Sequence, residues 1–367
     1  MSNQSETSSQ RRGPLAGLKV VELGAIGPVP LAGAMLSDLG ADVVLVDRPG
    51  STEPDQITDV VRRGRRVVQL NLKDETDRAR LIESLATADV LLEGFRPGTI
   101  ERLGLDPEML LEKNPGLIIG RMTGWGQEGQ RSADAGHDIN YISLTGHLAA
   151  ITDPQQRPAV PLNLVGDYGG GTMFLLLGIM SALHERATSG QGQVVDAAMV
   201  DGAAMLGLQM WSMRGMGAWT DTPFSNPLDG SAPWYGVYET SDGRYMAVGS
   251  IEPQFYELLL EGLDVKEIAP DRADKANWPR LKEIFVERFL TQDQAHWTSV
   301  FSGTDACVTP VLTYEEALQD GHMRSRNTFT ELGGVPQPAP APRFSRTPLE
   351  TPEWPPQAVG EGKDFWS

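Results

Sequence analysis

Short, wholly apolar runs alternate with longer, half-apolar ones along the first third of the chain. "LKVVELG" (18–24) reads as a buried strand, "PLAGAMLSDLGA" (30–41) as a helix that stops at a glycine, and "DVVLVD" (42–47) as a second buried strand. "RRVVQLNL" (65–72) predicts another strand, "DRARLIESLATA" (77–88) a helix, "DVLLEGF" (89–95) a strand, and "GLIIGRMTGWG" (116–126) repeats the pattern. Apolar strands separated by amphipathic helices imply a parallel sheet covered on both faces, so an open, Rossmann-like α/β sheet is expected up to about residue 125.

The rhythm then changes. "GGGTMFLLLGIMSALHERATSGQGQ" (169–193) predicts a long apolar helix, and "VVDAAMVDGAAMLGLQMWSMRGMG" is read as its continuation in helix, rich in methionine. "APWYGVYETSDGRYMAVGSIE" (232–252) has strand character and a hairpin turn at "SDGR", and helices follow near 253–262 and 279–290. The expected organisation is a large α/β domain over 12–198, a helical linker over 199–224, a smaller α+β domain over 225–326 and a return linker over 327–334. Segment 335–367 should complete the large domain; its eight prolines between 335 and 356 forbid helix or central strand and predict an extended path over a surface.

Composition narrows the function. At 367 residues the chain has room for roughly two domains. A net charge of −18 argues against nucleic acid as a partner, so any anionic ligand needs a local basic patch. No apolar run approaches the ~20 residues of a membrane span. The start "MSNQSETSSQRR" lacks an apolar signal core, and Cys307 is the single cysteine. A cytoplasmic protein without a membrane span is expected.

The candidate basic patch is "RRGRRVVQLNLK", with Arg62, Arg63, Arg65, Arg66 and Lys73, and Arg48 upstream. Guanidinium forks suit phosphates, so the group is read as an anion site, although each arginine alone fits a solvated loop. Arg96 in "EGFRPG" and Arg102 follow a strand end, where open sheets bind ligands. The loop after the first strand, with Gly24, Gly27 and Gly33, is not G-x-G-x-x-G, which makes a nicotinamide or flavin site the weaker reading despite Asp47 at the next strand end.

Three acid/base candidates stand apart. His137 in "GHDINYISLTG" reads, on the residues alone, sooner as a packed histidine than as a base, with Asp138 or Gly136 capping a helix that begins there. Asp167 in "NLVGDYGGG" is either a carboxylate beside a close-approach glycine run or an N-cap for the following helix. Glu252 before Pro253 fits an N-terminal capping role better than any other on spacing. Met205, Met210, Met213 and Met216 read as core or as an adaptable apolar surface. The remaining histidines show no metal-ligand spacing, and neither a nucleophile elbow nor a Walker loop occurs.

"GPLAGLKVVELG", "DLGADVVLVDRPG", "RRVVQLNLK", "EGFRPG", "RMTGWGQ", "GHDINY", "PLNLVGDYGGG", "GQGQVVDAAMVDG" and "DGRYMAVGSIEPQFY" together resemble the class III CoA-transferase (CaiB/BaiF) family over nearly the whole chain. Within it "GHDINY", "GDYGGG" and "IEPQFY" are similar to the members that racemise acyl-CoA thioesters. The resemblance implies inversion of the α-carbon of 2-methyl-branched fatty acyl-CoA by proton transfer through an enolate, without metal or cofactor, CoA being part of the substrate. It implies His137 and Asp167 as the acid/base pair and Glu252 as the partner of His137. It also implies Arg48, Lys73, Gly94, Phe95, Arg96, Arg102 and the 136–141 segment (Gly136, Asp138, Tyr141) as CoA contacts, the methionines as an acyl surface, and an interlocked homodimer. The family alternative is a transferase that uses Asp167 as nucleophile.

Overall fold

The computed structural model describes residues 12–51, 59–360 and 364–366. The polar start of the chain lies outside them. In order come β1 (Lys19–Leu23), α1 (Pro28–Asp38), β2 (Asp42–Asp47), β3 (Arg66–Gln69), α2 (Glu75–Leu85), β4 (Val90–Glu93), α3 (Thr99–Arg102), α4 (Pro107–Lys113), β5 (Ile118–Thr123) and α5 (Asp138–Leu144). Next are α6 (His147–Ala150), a π-helical stretch (Leu164–Thr172) that runs into α7 (Met173–Ser189), β6 (Val194–Ala198), α8 (Met199–Leu206) and α9 (Leu208–Gly215). The chain continues through β7 (Tyr235–Glu239), β8 (Tyr245–Gly249), α10 (Pro253–Leu263), α11 (Trp278–Phe289), α12 (Gln294–Phe301), β9 (Val308–Pro310), α13 (Tyr314–Ala317), α14 (Gly321–Ser325), β10 (Phe329–Leu332), β11 (Val335–Pro338) and β12 (Gln357–Ala358).

Two compact units result. The first holds the described residues up to Thr145, Leu162–Leu206 and those from Gly321 on; the second holds Gly146–Pro161 and Gly207–Asp320.

The first unit is built on a seven-stranded sheet in the order β12-β3-β2-β1-β4-β5-β6. Every pairing in it is parallel. Alternate residues of each strand feed opposite faces, as the two-residue period demands. Val20, Val43, Val90 and Ile118 pack with α1 and α7 residues such as Leu36, Leu175 and Ile179. Val21, Val44, Leu91 and Ile119 pack with Leu81, Leu85 and Leu110 from the opposite layer, and with Phe365 near the end of the chain. The strand order turns back on itself between β1 and β4, which places a crevice at the carboxyl ends of those strands.

One sequence expectation fails here. The helix expected through "VVDAAM" is the edge strand β6, paired with β5 from Ile119↔Val194 to Thr123↔Ala198. Gly190 ends α7 in the left-handed region (φ 72°), and a Cβ on Gly192 would sit 1.9 Å from the Leu117 carbonyl, so the glycines turn the chain into the sheet. The long helix, Leu164–Ser189, is apolar enough by length and composition to cross a membrane. Leu175, Leu176, Ile179 and Ala182 are nonetheless buried against the sheet, as a core helix requires.

The proline-rich tail is extended, as expected: β10 and β11 form a hairpin, and β12 adds the outermost strand beside β3. The second unit is an antiparallel sheet, β7-β8-β9, closed by α10, α11 and α12 around Tyr238, Met246, Leu259, Phe285, Phe289 and Trp297.

Candidate active site

Two adjoining cavities open at the carboxyl ends of the parallel strands, within the usual size range for small-molecule sites. One of about 540 Å³ is lined by Gly27, Gly94, Phe95, Arg96, Trp125, Gly136, His137, Tyr141, Asn163, Asp167 and Met199, among others. The other, of about 480 Å³, is lined by residues that include Asp47, Arg48, Arg62, Asn71, Lys73 and Phe95. Ile26 and Phe95 belong to both walls.

His137 is not a packed histidine. It is exposed, lines the larger cavity and holds the N-cap position of α5. Its backbone N–H donates to Asn140 Oδ1 at 3.0 Å. The cap was expected from Asp138 or Gly136. Asp138 instead turns inward, is 5% exposed, and accepts the backbone N–H groups of Gly166 (2.6 Å) and Asp167 (2.7 Å). One buried carboxylate thereby joins the start of α5 to the backbone that carries Asp167 and satisfies two donors of the π-helical turn. Tyr141 spends its hydroxyl on the Gly136 carbonyl, and its ring occupies the space that a Cβ on Gly124 or Gly136 would need. It fixes the loop in front of His137.

Asp167 lies inside the helical run and caps nothing. Its Oδ2 accepts from Asn163 Nδ2 at 3.2 Å. Burial raises its pKa above the ordinary aspartate value; the Asn163 hydrogen bond opposes this, the Asp138 charge adds to it and His137 opposes it. A carboxyl shifted upward is better matched to proton transfer near neutral pH. The glycines after it serve helix packing: a Cβ on Gly170 would meet the Ala203 backbone nitrogen at 2.4 Å, and one on Gly202 the Gly170 carbonyl at 1.9 Å. The π-helical turn is therefore pressed onto the backbone of α8. Gly27, at φ 73°, brings the β1–α1 loop to the other side of the carboxylate, where a Cβ would lie 3.5 Å from Asp167 Oδ2.

The basic patch divides. Arg65 is 1% exposed and pairs with Glu22 at 2.8 Å while donating to the carbonyls of Val61 and Pro30. Arg63 pairs with Asp38 at 2.6 Å and reaches Gln337. Arg66 pairs with Asp42 at 2.7 Å; both stand at the first residues of β3 and β2, the opposite end of the sheet from the cavities. The expected phosphate role of Arg66 is thus corrected by its location. Only Arg62 of the four reaches a cavity wall, and it is paired with Asp47 at 2.8 Å. Arg48, Lys73 and Arg96 line the cavities and have no salt bridge among the described residues. Arg102 is exposed, donates to Thr99 Oγ1 and lines neither cavity.

The "EGFRPG" loop is braced from beneath. Glu93 accepts the Phe95 N–H and Arg121 Nε, each at 2.8 Å, and Arg121 continues to Glu101, also at 2.8 Å. The brace aims Gly94, Phe95 and Arg96 into the cavity wall.

In the second unit Glu252 is exposed and sits at the N-cap of α10, before Pro253, where the spacing placed it; its side chain makes no capping bond. Of the methionines, Met205 and Met216 are exposed, Met210 and Met213 half-buried, so none is core. Met199, which the sequence reading missed, lines the larger cavity, as do Asn163 and Trp125. Asn163 had a signal, standing one helical turn before Asp167. Among the described residues no group of three or more His, Cys, Asp or Glu side chains could hold a metal ion.

The profile of CoA-transferase family III matches residues 15–362. The chain is 48% identical over 336 residues to the protein named alpha-methylacyl-CoA racemase of Mus musculus, covering 91% of this chain and 87% of that one. It is 45% identical over 338 residues to the protein of the same name from Homo sapiens, with the same coverage. A crystal structure of Rv3272 from M. tuberculosis superposes with a TM-score of 0.77 at 25% identity, over 95% of this chain and 98% of that one.

Proposed function

The chain belongs to CoA-transferase family III, and from that premise we propose that it inverts the α-carbon of 2-methyl-branched fatty acyl-CoA thioesters, with His137 and Asp167 removing and returning the proton. The observation that carries this is the convergence of the two groups on one cavity from different elements, α5 and the π-helical turn. A transferase needs the carboxylate alone. Inversion needs an acid and a base on opposite faces of the carbon, and a histidine together with an aspartate whose carboxyl is raised by burial supplies two such groups. The mouse and human relatives described above both carry the name alpha-methylacyl-CoA racemase.

The thioester enolate needs donors, for which backbone N–H groups at the start of α5, next to His137, are suited. In the homodimer, Glu252 of one protomer takes the role of orienting His137 of its partner. Side chains alone carry the proton, so the reading needs no metal or cofactor. It includes a homodimer, supported by Leu208 and Trp211 on α9 and Met216 at its C-cap, which are 61%, 57% and 71% exposed; sedimentation as a monomer would remove that element. A single cysteine fits a cytoplasmic location.

The test is a single epimer of a 2-methylacyl-CoA in D2O with no acceptor acid. Inversion with deuterium entering at the α-carbon is expected. Absence of both, with CoA passed to an added carboxylic acid, would move the protein to the transferases, with a thioester formed on Asp167.

The free cations hold the CoA phosphates in this reading. Arg96→Ala is expected to raise KM with little change in kcat, because the handle is bound alike in ground and transition states. Arg66→Ala is expected to leave KM unchanged, its guanidinium being committed to Asp42. Steady-state kinetics of the two variants checks the division; an equal rise in KM in both would reverse it.

A further inference from the structure

Glu252 projects from a junction, the end of β8 and the first turn of α10, whose backbone is held at several points. The Gly249 N–H donates to the Cys307 carbonyl at 2.9 Å and Ser250 Oγ to the Ala306 carbonyl at 2.5 Å. The two carbonyls just before Glu252 are taken by one side chain: Arg272 Nη1 donates to Ser250 O at 3.3 Å and Nη2 to Ile251 O at 3.0 Å.

Arg272 is itself fixed. Its guanidinium carbon stands 4.2 Å from the ring centre of Tyr256 and 4.9 Å from that of Trp234. Trp278 Nε1 donates to its carbonyl at 3.0 Å. Tyr256 is on α10, one turn past Glu252, and its N–H donates to the Glu252 carbonyl at 3.0 Å. No carboxylate pairs with Arg272 in a salt bridge among the described residues. The fork therefore spans the residues on either side of Glu252, with two hydrogen bonds before it and a cation–π contact after it. A lysine, as a single point of charge, could not do both.

We propose that Arg272 is a positioning residue for racemisation: it holds the β8–α10 junction so that the Glu252 carboxylate is presented in one orientation. The proposal rests on the reading that Glu252 supports the His137 base. Arg272 lines neither cavity, so its removal should lower kcat and leave KM for acyl-CoA unchanged. A carboxylate displaced by an ångström or so is expected to cost roughly 10- to 100-fold in turnover.

The experiment is a double-mutant cycle of Arg272→Ala with Glu252→Gln, read as kcat, KM and α-proton exchange in the full-length enzyme. Arg272→Ala is expected to lower kcat in the wild-type background and to do nothing further in Glu252→Gln, and Arg272→Lys to recover part of the loss. An equal loss in both backgrounds would make Arg272 a general support of the fold and overturn the proposal, as would wild-type kcat in Arg272→Ala. If the alanine variant does not fold, Arg272→Lys carries the same cycle with the same two outcomes. Wild-type turnover in Glu252→Gln alone would remove the role of Glu252, and the clamp with it, while α-deuterium incorporation by the unmodified enzyme would still stand as the separate measure of racemisation.

Discussion

Replacing His137 by alanine is expected to cut inversion by roughly 100- to 10,000-fold from either epimer, and Asp167→Asn to do the same. In the proposed mechanism each inversion uses both groups, one to take the proton and the other to deliver one to the opposite face, so loss of either stops the full cycle in both directions. The exchange half-reaction separates them. With His137 gone, Asp167 still reaches the face it serves, and deuterium should enter one epimer without inversion; Asp167→Asn should show the complementary pattern. Asparagine keeps the size of the aspartate, so the Asp138 bonds to the backbone of Gly166 and Asp167 are retained and any loss reports the proton and not the fold. Chiral separation of the thioesters, with mass spectrometry for deuterium, reads both quantities. Inversion at the wild-type rate in either variant would discard the two-base mechanism.

The second large effect concerns stability. Glu22 and Arg65 are each 1% exposed, and their pair lies under the glycine of α1, where a Cβ on Gly33 would fall 1.9 Å from Glu22 Oε2. Removing one partner strands a charge in the core. Arg65→Met alone, or Glu22→Leu alone, is expected to destabilise the first unit by about 3–5 kcal/mol. The double variant is expected to recover much of the loss, because two apolar side chains of similar volume leave no charge unpaired. Urea unfolding with an unchanged slope measures this. A double variant as unstable as the sum of the singles would show that the pair contributes more than the avoidance of a buried charge.

That pair also shows where sequence reading stopped. The βαβ pattern was legible because buried parallel strands announce themselves by unbroken apolar runs, as in "DVVLVD" and "DVLLEGF". The arginine cluster misled, because the carboxylates that neutralise it lie far off in sequence: Glu22 is 43 residues before Arg65, Asp38 25 before Arg63, and Asp42 24 before Arg66. Local density of charge cannot report a partner brought in by strand pairing. The cations that face the cavities without a salt bridge among the described residues, Arg48, Lys73 and Arg96, are scattered singly. In β6 the two valines after a glycine-rich turn were the strand signal, overridden by the apolar helices on either side. His137, Asp167 and Glu252 were legible as chemistry only through the family motifs; their spacing alone favoured packing and caps, which the structure assigns to none of the three side chains but Asp138 partly fulfils, as backbone acceptor.

The way the first unit is finished has a consequence for synthesis. Its outermost strand is β12, Phe365 is fully buried in its core, and Trp366 Nε1 reaches the carbonyl of Ser84, 282 residues away. The second unit lies almost wholly between Gly207 and Asp320. On a ribosome the second unit can therefore close while the older, first-made sheet still waits for its last strand. Contacts of such sequence separation form late and slowly. Until they form, β3 presents an unpaired parallel edge. That interval is when the nascent chain is most exposed to edge-to-edge association with its neighbours.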